Sequence, residues 1–251
     1  TRCVRAARRR VKGVCPFLFP TFVQSEPVPY SPAWLSPESE AVVPSSSKAG
    51  CGSEKVALTI WTVNVNAWGT LLDLLESDPD AHILLVQEHR LRDPEALHRA
   101  SARALRLGWK SFWMPGIPGP QGGDSSGVVV LARDWLGIYD VEGGSLCAVR
   151  VQACMVHAPS SPAFCLVSVY LEHSVGLNAF NAGILADLGV FLQNLDCEFV
   201  LAGDFNTNPE AVHQVGFVSK LGAHLVYTEA HTHFPSQGKP DVFDFFVVSG
   251  G

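Results

Sequence analysis

No apolar run in the 251-residue chain reaches the roughly twenty residues a helix needs to cross a bilayer, and the apolar patch from Val14 to Val23 is broken by Pro16 and Pro20. A membrane anchor is not expected. Charge is sparse, at 17% of residues, and unevenly divided. Residues 1–55 hold 8 Lys/Arg and 4 Asp/Glu, a net +4, whereas residues 56–251 hold 10 and 20, a net −10. The acidic part lacks the broad basic surface that supplies nonspecific affinity for nucleic acid, so a polyanion bound there needs metal ions or a local basic patch. Arg90, Arg92, Arg99, Arg103 and Arg106, with Lys110 beyond, form its densest basic stretch and read as a solvated helix face. The seven cysteines include no CxxC pair, and several sit in apolar strand-like runs where a thiol packs as a small hydrophobe. A reducing compartment without structural zinc is expected.

What is present is a globular composition, 47% hydrophobic, with enough residues for one sizeable core. Residues 24–54 are rich in Ser, Pro, Glu and Ala and bury too little to offset their ordering cost. Residues 1–55 are therefore expected to be a disordered basic leader and linker, and 56–251 the folded domain. The first 25 residues, Arg-rich and without acids, have the composition of an organelle transit peptide. The start at Thr1 rather than Met equally fits a fragment of a longer protein, and composition does not choose between the two. An intracellular location, nuclear or cytoplasmic, is expected.

Apolar runs predict strands at Val56–Asn64, His82–Glu88, Lys110–Met114, Gly127–Arg133, Leu146–His157, Phe164–Tyr170, Phe199–Asp204 and Val242–Val248. Helices are predicted at Gly69–Ser77, Pro94–Leu107, Leu177–Leu195 and Pro209–Leu221. Asp93-Pro94-Glu95 and Asn208-Pro209-Glu210 each supply a cap, a proline at the first helical position and an acid in the first turn. The six residues between Leu146–His157 and Phe164–Tyr170 are too few for a helical crossover, so those strands should pair antiparallel. The expected fold class is α/β: a layered α/β sandwich of two mixed, largely antiparallel sheets with helices outside.

Polar residues recur where these apolar strands end, the places where a fold gathers a site. Asp204 and Asn206 follow Phe199–Ala202, two apart on an extended chain and so on one face, and read either as a phosphate- and metal-facing pair or as a loop cap. Gly203 permits close approach of a backbone or a substrate. Glu88 follows a buried strand and reads as a hard-metal ligand or an exposed terminus. Asn64 ends another strand, and Tyr170 ends a third with a hydroxyl that suits a phosphoryl oxygen or an ordinary core edge. Asp244 lies in a strongly apolar strand, where a charge needs a partner.

In this order the segments resemble the endonuclease/exonuclease/phosphatase superfamily, which includes apurinic endonucleases, retrotransposon endonucleases and inositol-phosphate phosphatases. The resemblance spans about Val56 to Ser249 and rests on Gly203-Asp204-Phe205-Asn206 and Gln87-Glu88. Asn64-Val65, Ser126–Leu131, Tyr170 and Asp244–Ser249 support it. It implies a metal-dependent phosphoester hydrolase, most closely a nuclease acting on DNA, with a retroelement as its expected source. Magnesium, or manganese in its place, would sit on Glu88 with Asn64 close by. Asp204 would orient or deprotonate the attacking water, Asn206 would hold the phosphate, Tyr170 would contact a phosphoryl oxygen, and Asp244 would match the acid that orients a catalytic histidine.

The family pattern continues to an Asp-His pair beyond the segment holding Asp244, whereas this sequence ends at Gly250-Gly251. The domain is accordingly expected to be incomplete at its C-terminus, and an inactive or vestigial binding module of the same fold is the alternative. A phosphoinositide-type phosphatase is a further one. His231 and His233 reach Asp244 only if their loop folds back, and the family's Thr-containing segment at this place gives them an ordinary structural role. His173, just beyond Tyr170, is a weaker substitute.

Overall fold

The structure, a computed structural model, describes the backbone of residues 12–18 and, in full, residues 57–119, 122–141, 149–159, 161–228, 231–233 and 240–250. Its first sheet is built from β1 (Lys12–Leu18), β2 (Thr59–Asn64), β3 (Ile83–Gln87) and β4 (Trp109–Met114). A two-residue hairpin, β5 (Ile117–Pro118) and β6 (Asp124–Ser125), precedes β7 (Val128–Arg133), which completes that sheet in the order β1-β2-β3-β7-β4. The second sheet takes β8 (Gly137–Tyr139), β9 (Val151–His157), β10 (Phe164–Tyr170), β11 (Phe199–Asp204), β12 (Ala223–Val226) and β13 (Asp244–Ser249), in the order β12-β13-β11-β10-β9-β8. The helices are α1 (Trp68–Glu76), α2 (Pro94–Arg106), α3 (Ala179–Gln193), α4 (Pro209–Gln214) and α5 (Phe217–Lys220). No helix among the described residues is long and apolar enough to cross a membrane.

Each sheet contains one parallel pair, β2–β3 and β10–β11, bridged by α1 and by α3 respectively; the other ladders are antiparallel. A helix is what a parallel crossover requires, and β9 and β10, six residues apart, pair antiparallel as expected. Inner-facing residues such as Ile60, Leu85, Val130, Leu166, Val200 and Phe246 pack the two sheets together. A second apolar layer lies between the first sheet and α1–α2, and a third between the second sheet and α3–α5. The sandwich read from the sequence is thus the observed one, with helices on both outer faces. Cys154 and Cys165 are buried free thiols, and burial pushes Cys165 up to about 12.

Local details follow the side chains. Asp93 accepts from Ala96 N at 2.7 Å and Asn208 from Ala211 N at 2.9 Å, capping α2 and α4 as their sequences predict. The single helix expected over Pro209–Leu221 is broken, because Gly216 takes a left-handed conformation (φ +76°) and ends α4 before α5 begins. Of the residues expected to form an unordered leader, Lys12–Leu18 instead pair antiparallel with β2 as an edge strand; the rest of 1–55 lies outside the described residues. Part of the strand expected from Leu146 does so too, and the described strand starts at Val151.

Candidate functional site

The inner strands β2, β3, β10 and β11 end at the same edge of the sandwich, and β13 begins there. Gln87, the last residue of β3, ties the sheets together beneath that edge. Its amide donates to Leu85 O and to Ser168 Oγ, each at 3.0 Å, and its carbonyl accepts from Thr62 Oγ1 at 3.3 Å. Ser168 in turn donates to Val86 O at 3.1 Å. A fully paired buried network of this kind fixes how β3 meets β10, and so fixes the residues just above it.

Glu88 is the next residue, and its φ of +60° turns the chain out of the strand. His89 holds that turn. It is fully buried, its Nε2 donates to Met114 O at 3.1 Å, and its Nδ1 accepts from Leu91 N at 3.1 Å. Burial lowers its pKa to about 4, so the neutral ring is the native form. Gly127, opposite, has φ +87°, and a Cβ there would stand 2.6 Å from His89 Cε1. The glycine is thus required by both backbone and space.

Asn64 connects three strand ends. Its Nδ2 donates to Glu88 Oε1 at 3.0 Å and to Asp204 Oδ2 at 2.9 Å, while its Oδ1 accepts from Asn66 N at 3.2 Å. The Tyr170 hydroxyl also donates to Glu88, and Arg90 Nη2 reaches Glu88 Oε2 at 2.6 Å. Burial opposes ionisation of Glu88, but the hydrogen bonds from Arg90, Asn64 and Tyr170, with the Arg90 charge, outweigh it and hold the carboxyl below its usual range. Burial raises the Tyr170 phenol, with repulsion from Glu88 and Asp204 adding to it, so it stays an O–H donor.

Gly203 faces backbone rather than substrate: a Cβ would fall 1.8 Å from Val169 O on the parallel neighbour β10. Asp204 and Asn206 were expected to share a face of an extended chain. They meet instead through a turn, because Asn206 has φ +48° and its N donates to Asp204 Oδ1 at 3.0 Å. Asn206 Nδ2 donates to Leu171 O at 2.8 Å, and its Oδ1 lies 2.9 Å from His173 Nδ1, which fixes the amide's orientation. Burial pushes Asp204 up to about 6 against the hydrogen bonds from Asn64 and Asn206.

Asp244 opens β13 opposite Asp204. Burial and then repulsion from Asp204 raise it well above the ordinary carboxylate value, and its Oδ1 is buried without a hydrogen-bond partner among the described residues. The loop before it does fold back. Thr232 and His233 N donate to Asp241 O at 3.0 and 2.9 Å, and Thr232 Oγ1 accepts from Phe243 and Asp244 N at 2.9 and 3.0 Å. Thr232 also hydrogen-bonds the Asp244 carboxylate. His233 stacks on Phe243 at 4.6 Å and tilts toward His173 at 6.0 Å.

All six residues singled out in the sequence, Asn64, Glu88, Tyr170, Asp204, Asn206 and Asp244, thus gather at one edge. The sequence reading missed three neighbours. Arg90, assigned to a solvated helix face, precedes α2 and pairs with Glu88; Arg99 and Arg103 are surface-paired with Glu95 and Glu76 as expected. Thr232 and Arg150 were not considered singly. Arg150 precedes β9, and its guanidinium lies 5.2 Å from the Tyr170 ring centroid.

Among the described residues no group of three or more His, Cys, Asp or Glu side chains is arranged as a metal centre. The donors nevertheless fit a hard cation. Glu88 offers an ionised carboxylate with an amide beside it, and magnesium keeps most of its own waters and takes one or two protein carboxylates. Glu88 raises Asp204, and Asp204 and Glu88 both raise Asp244, so the three carboxyls also form a place where added positive charge is favourable.

The model of the Endonuclease/Exonuclease/phosphatase family matches residues 62–251. Among solved structures, the chain is similar to TDP2 of D. rerio humanized by 14 mutations (16% identity, TM-score 0.57, 76% of this chain and 83% of that one). It is similar to the AP endonuclease LMAP from Leishmania major (16%, 0.54, 76% and 78%) and to the human Nocturnin catalytic domain with bound sulfate (18%, 0.51, 71% and 72%). At these identities the likeness is one of fold. No curated protein matches the chain.

Proposed function

The chain belongs to the endonuclease/exonuclease/phosphatase family, and from that premise we propose that it is a metal-dependent nuclease, cleaving phosphodiester bonds of DNA by in-line attack of water. The observation that carries the reading is the Asn64 amide bonded at once to Glu88 and Asp204, with Asn206 turned onto Asp204. A purely structural strand end has no need to hold two carboxylates against each other away from water.

Asp204, raised to about 6, suits a base that takes a proton from water near neutral pH. Asn64 and the Asn206 backbone hold its two oxygens in place. The Asn206 amide has two N–H donors and spends one on Leu171, leaving the other for a phosphoryl oxygen. The Tyr170 hydroxyl, held protonated, has one O–H, directed at Glu88, and would turn from it to a phosphoryl oxygen when the phosphate binds. Glu88, with Asn64, would hold a magnesium ion, which when bound would neutralise charge growing on the phosphate.

The competing reading, a binding module that has lost its chemistry, is favoured by one observation: Asp244 Oδ1 has no donor, histidine or other, among the described residues. The two separate on purified protein incubated with supercoiled plasmid, an abasic-site duplex and a phosphoinositide, with magnesium and with chelator. Magnesium-dependent nicking of either DNA, abolished in Glu88→Gln, supports the nuclease. Turnover of the phosphoinositide alone moves the assignment to a phosphatase, and none on any of the three supports the binding module.

A further inference from the structure

Arg150 is a buried cation short of partners. It is 5% exposed, and its Nε is buried without a hydrogen-bond partner among the described residues. Its one ion pair among the described residues, Arg150 Nη2 to Glu172 Oε1, is 3.8 Å long, outside hydrogen-bond range. Among the described residues two rings also flank the guanidinium, Tyr170 at 5.2 Å and Phe180 at 5.9 Å. A desolvated charge held only by ring faces and a long ion pair is costly, and the cost falls when an oxyanion completes its hydrogen bonds. Arg103 and Arg133, by contrast, reach carboxylates at 2.5 and 2.8 Å.

Its place in the fold says which anion. Tyr170 N donates to Arg150 O at 2.9 Å, so Arg150, just before β9, lies opposite Tyr170 of β10 and shares the inner face at the site edge. The Tyr170 hydroxyl reaches Glu88, so Arg150 stands one tyrosine ring away from the carboxylates. Glu172, 43% exposed, presents a carboxylate oxygen to it from the solvent side.

Resting on the nuclease reading above, we propose that Arg150 is the receptor for a second backbone phosphate flanking the scissile one, and that Glu172 occupies that slot until the nucleic acid displaces it. The substrate class is then a polynucleotide with consecutive phosphates. A guanidinium binds a phosphate as a two-pronged fork, and this contact gives an acidic domain a local basic point. The exposed carboxylate tunes affinity by competing with the phosphate.

The test is binding of a fluorescein-labelled DNA oligonucleotide by the full chain in chelator, followed by anisotropy, with each backbone phosphate in turn replaced by a neutral methylphosphonate. For the wild type, one position besides the scissile phosphate is expected to cost about tenfold in affinity. Arg150→Gln is expected to bind about tenfold more weakly, to lose that position's sensitivity, and to lower the salt slope of log K by about 0.7 to 0.9. Glu172→Gln, an exposed substitution that leaves folding intact, is expected to bind several-fold more tightly. An unchanged methylphosphonate profile in Arg150→Gln, or weaker binding by Glu172→Gln, overturns the slot. If the wild type nicks DNA with magnesium while the slot fails, the nuclease reading stands alone; if it neither binds nor nicks DNA, both readings fall.

Discussion

Asn64 and Asp204 lie 140 positions apart in the chain, yet the Asn64 side-chain nitrogen is 2.9 Å from Asp204 Oδ2, across the gap between the two sheets. The same nitrogen holds Glu88 Oε1 at 3.0 Å. One amide therefore sets the spacing of the two carboxylates assigned to cation and base. Replacing it by alanine should lower kcat for DNA nicking about a hundredfold while costing only about 1–2 kcal/mol of stability. Steady-state rates and urea melts on Asn64→Ala check both. A large loss of stability with an unaltered rate in the remaining folded protein contradicts the assignment.

The carboxylates leave a mark on stability against pH. Folded Asp204 titrates near 6 and an ordinary aspartate near 3.8, so the native state binds this proton more tightly than the unfolded chain between those values. Ionised Asp204 accordingly costs stability above about pH 6, up to about 3 kcal/mol, and the cost is relieved as pH falls toward 3.8. Asp244 is displaced in the same direction. Asp244→Asn should therefore raise the urea midpoint at pH 8 and change it little at pH 4. A lowered midpoint at pH 8 would mean that the ionised carboxylate is instead stabilised.

His89 pulls the other way. Its folded pKa is near 4 against an ordinary 6.5, so the unfolded chain takes the proton first. The stability of the neutral ring is complete above 6.5 and is lost as pH falls toward 4, at most about 3 kcal/mol. Comparing melts at pH 7 and pH 4.5, His89→Gln should lack this acid loss and show net stabilisation on acidification from the aspartates. An equal acid loss in wild type and variant would place the effect elsewhere.

Gly203→Ala should not fold. The new Cβ would sit 1.8 Å from Val169 O within a parallel ladder that neither strand can open without losing the β10–β11 register. A cost above about 4 kcal/mol is expected, seen as insoluble expression or loss of the cooperative melt.

His173 fixes the Asn206 amide through its carbonyl at 2.9 Å. His173→Ala should raise KM more than it lowers kcat, because the amide left free to rotate holds the ground-state phosphate less well; an unchanged KM would assign the contact to packing.

The layers, and the strand ends that bring six candidate residues to one edge, were legible because the central strands are unbroken apolar runs that stop at single polar residues. The short edge strands β8 and β12 carry no such run, and the apolar stretch of β1 is interrupted by Pro16, so all three went unread. What lay beyond reach was geometry that composition does not mark. Glu88, Arg90 and Asn206 adopt positive φ without being glycine, and those turns aim the carboxylate, bring Arg90 back onto it and close Asn206 over Asp204. Arg150 and Thr232 matter through a cross-strand neighbour and a folded-back loop, neither of which leaves a local pattern. The break at Gly216 was readable in principle, since glycine in a left-handed conformation is the usual helix stop.

The most direct measurement is single-turnover nicking of plasmid DNA, at saturating magnesium, by the wild type, Glu88→Gln, Asp204→Asn and the double variant. Groups that act as one unit are strongly non-additive. The wild type should nick, each single variant should lose most of the rate, and the double variant should be no slower than the slower single one. Losses that multiply, or a wild type with no magnesium-dependent nicking, would contradict a shared catalytic site.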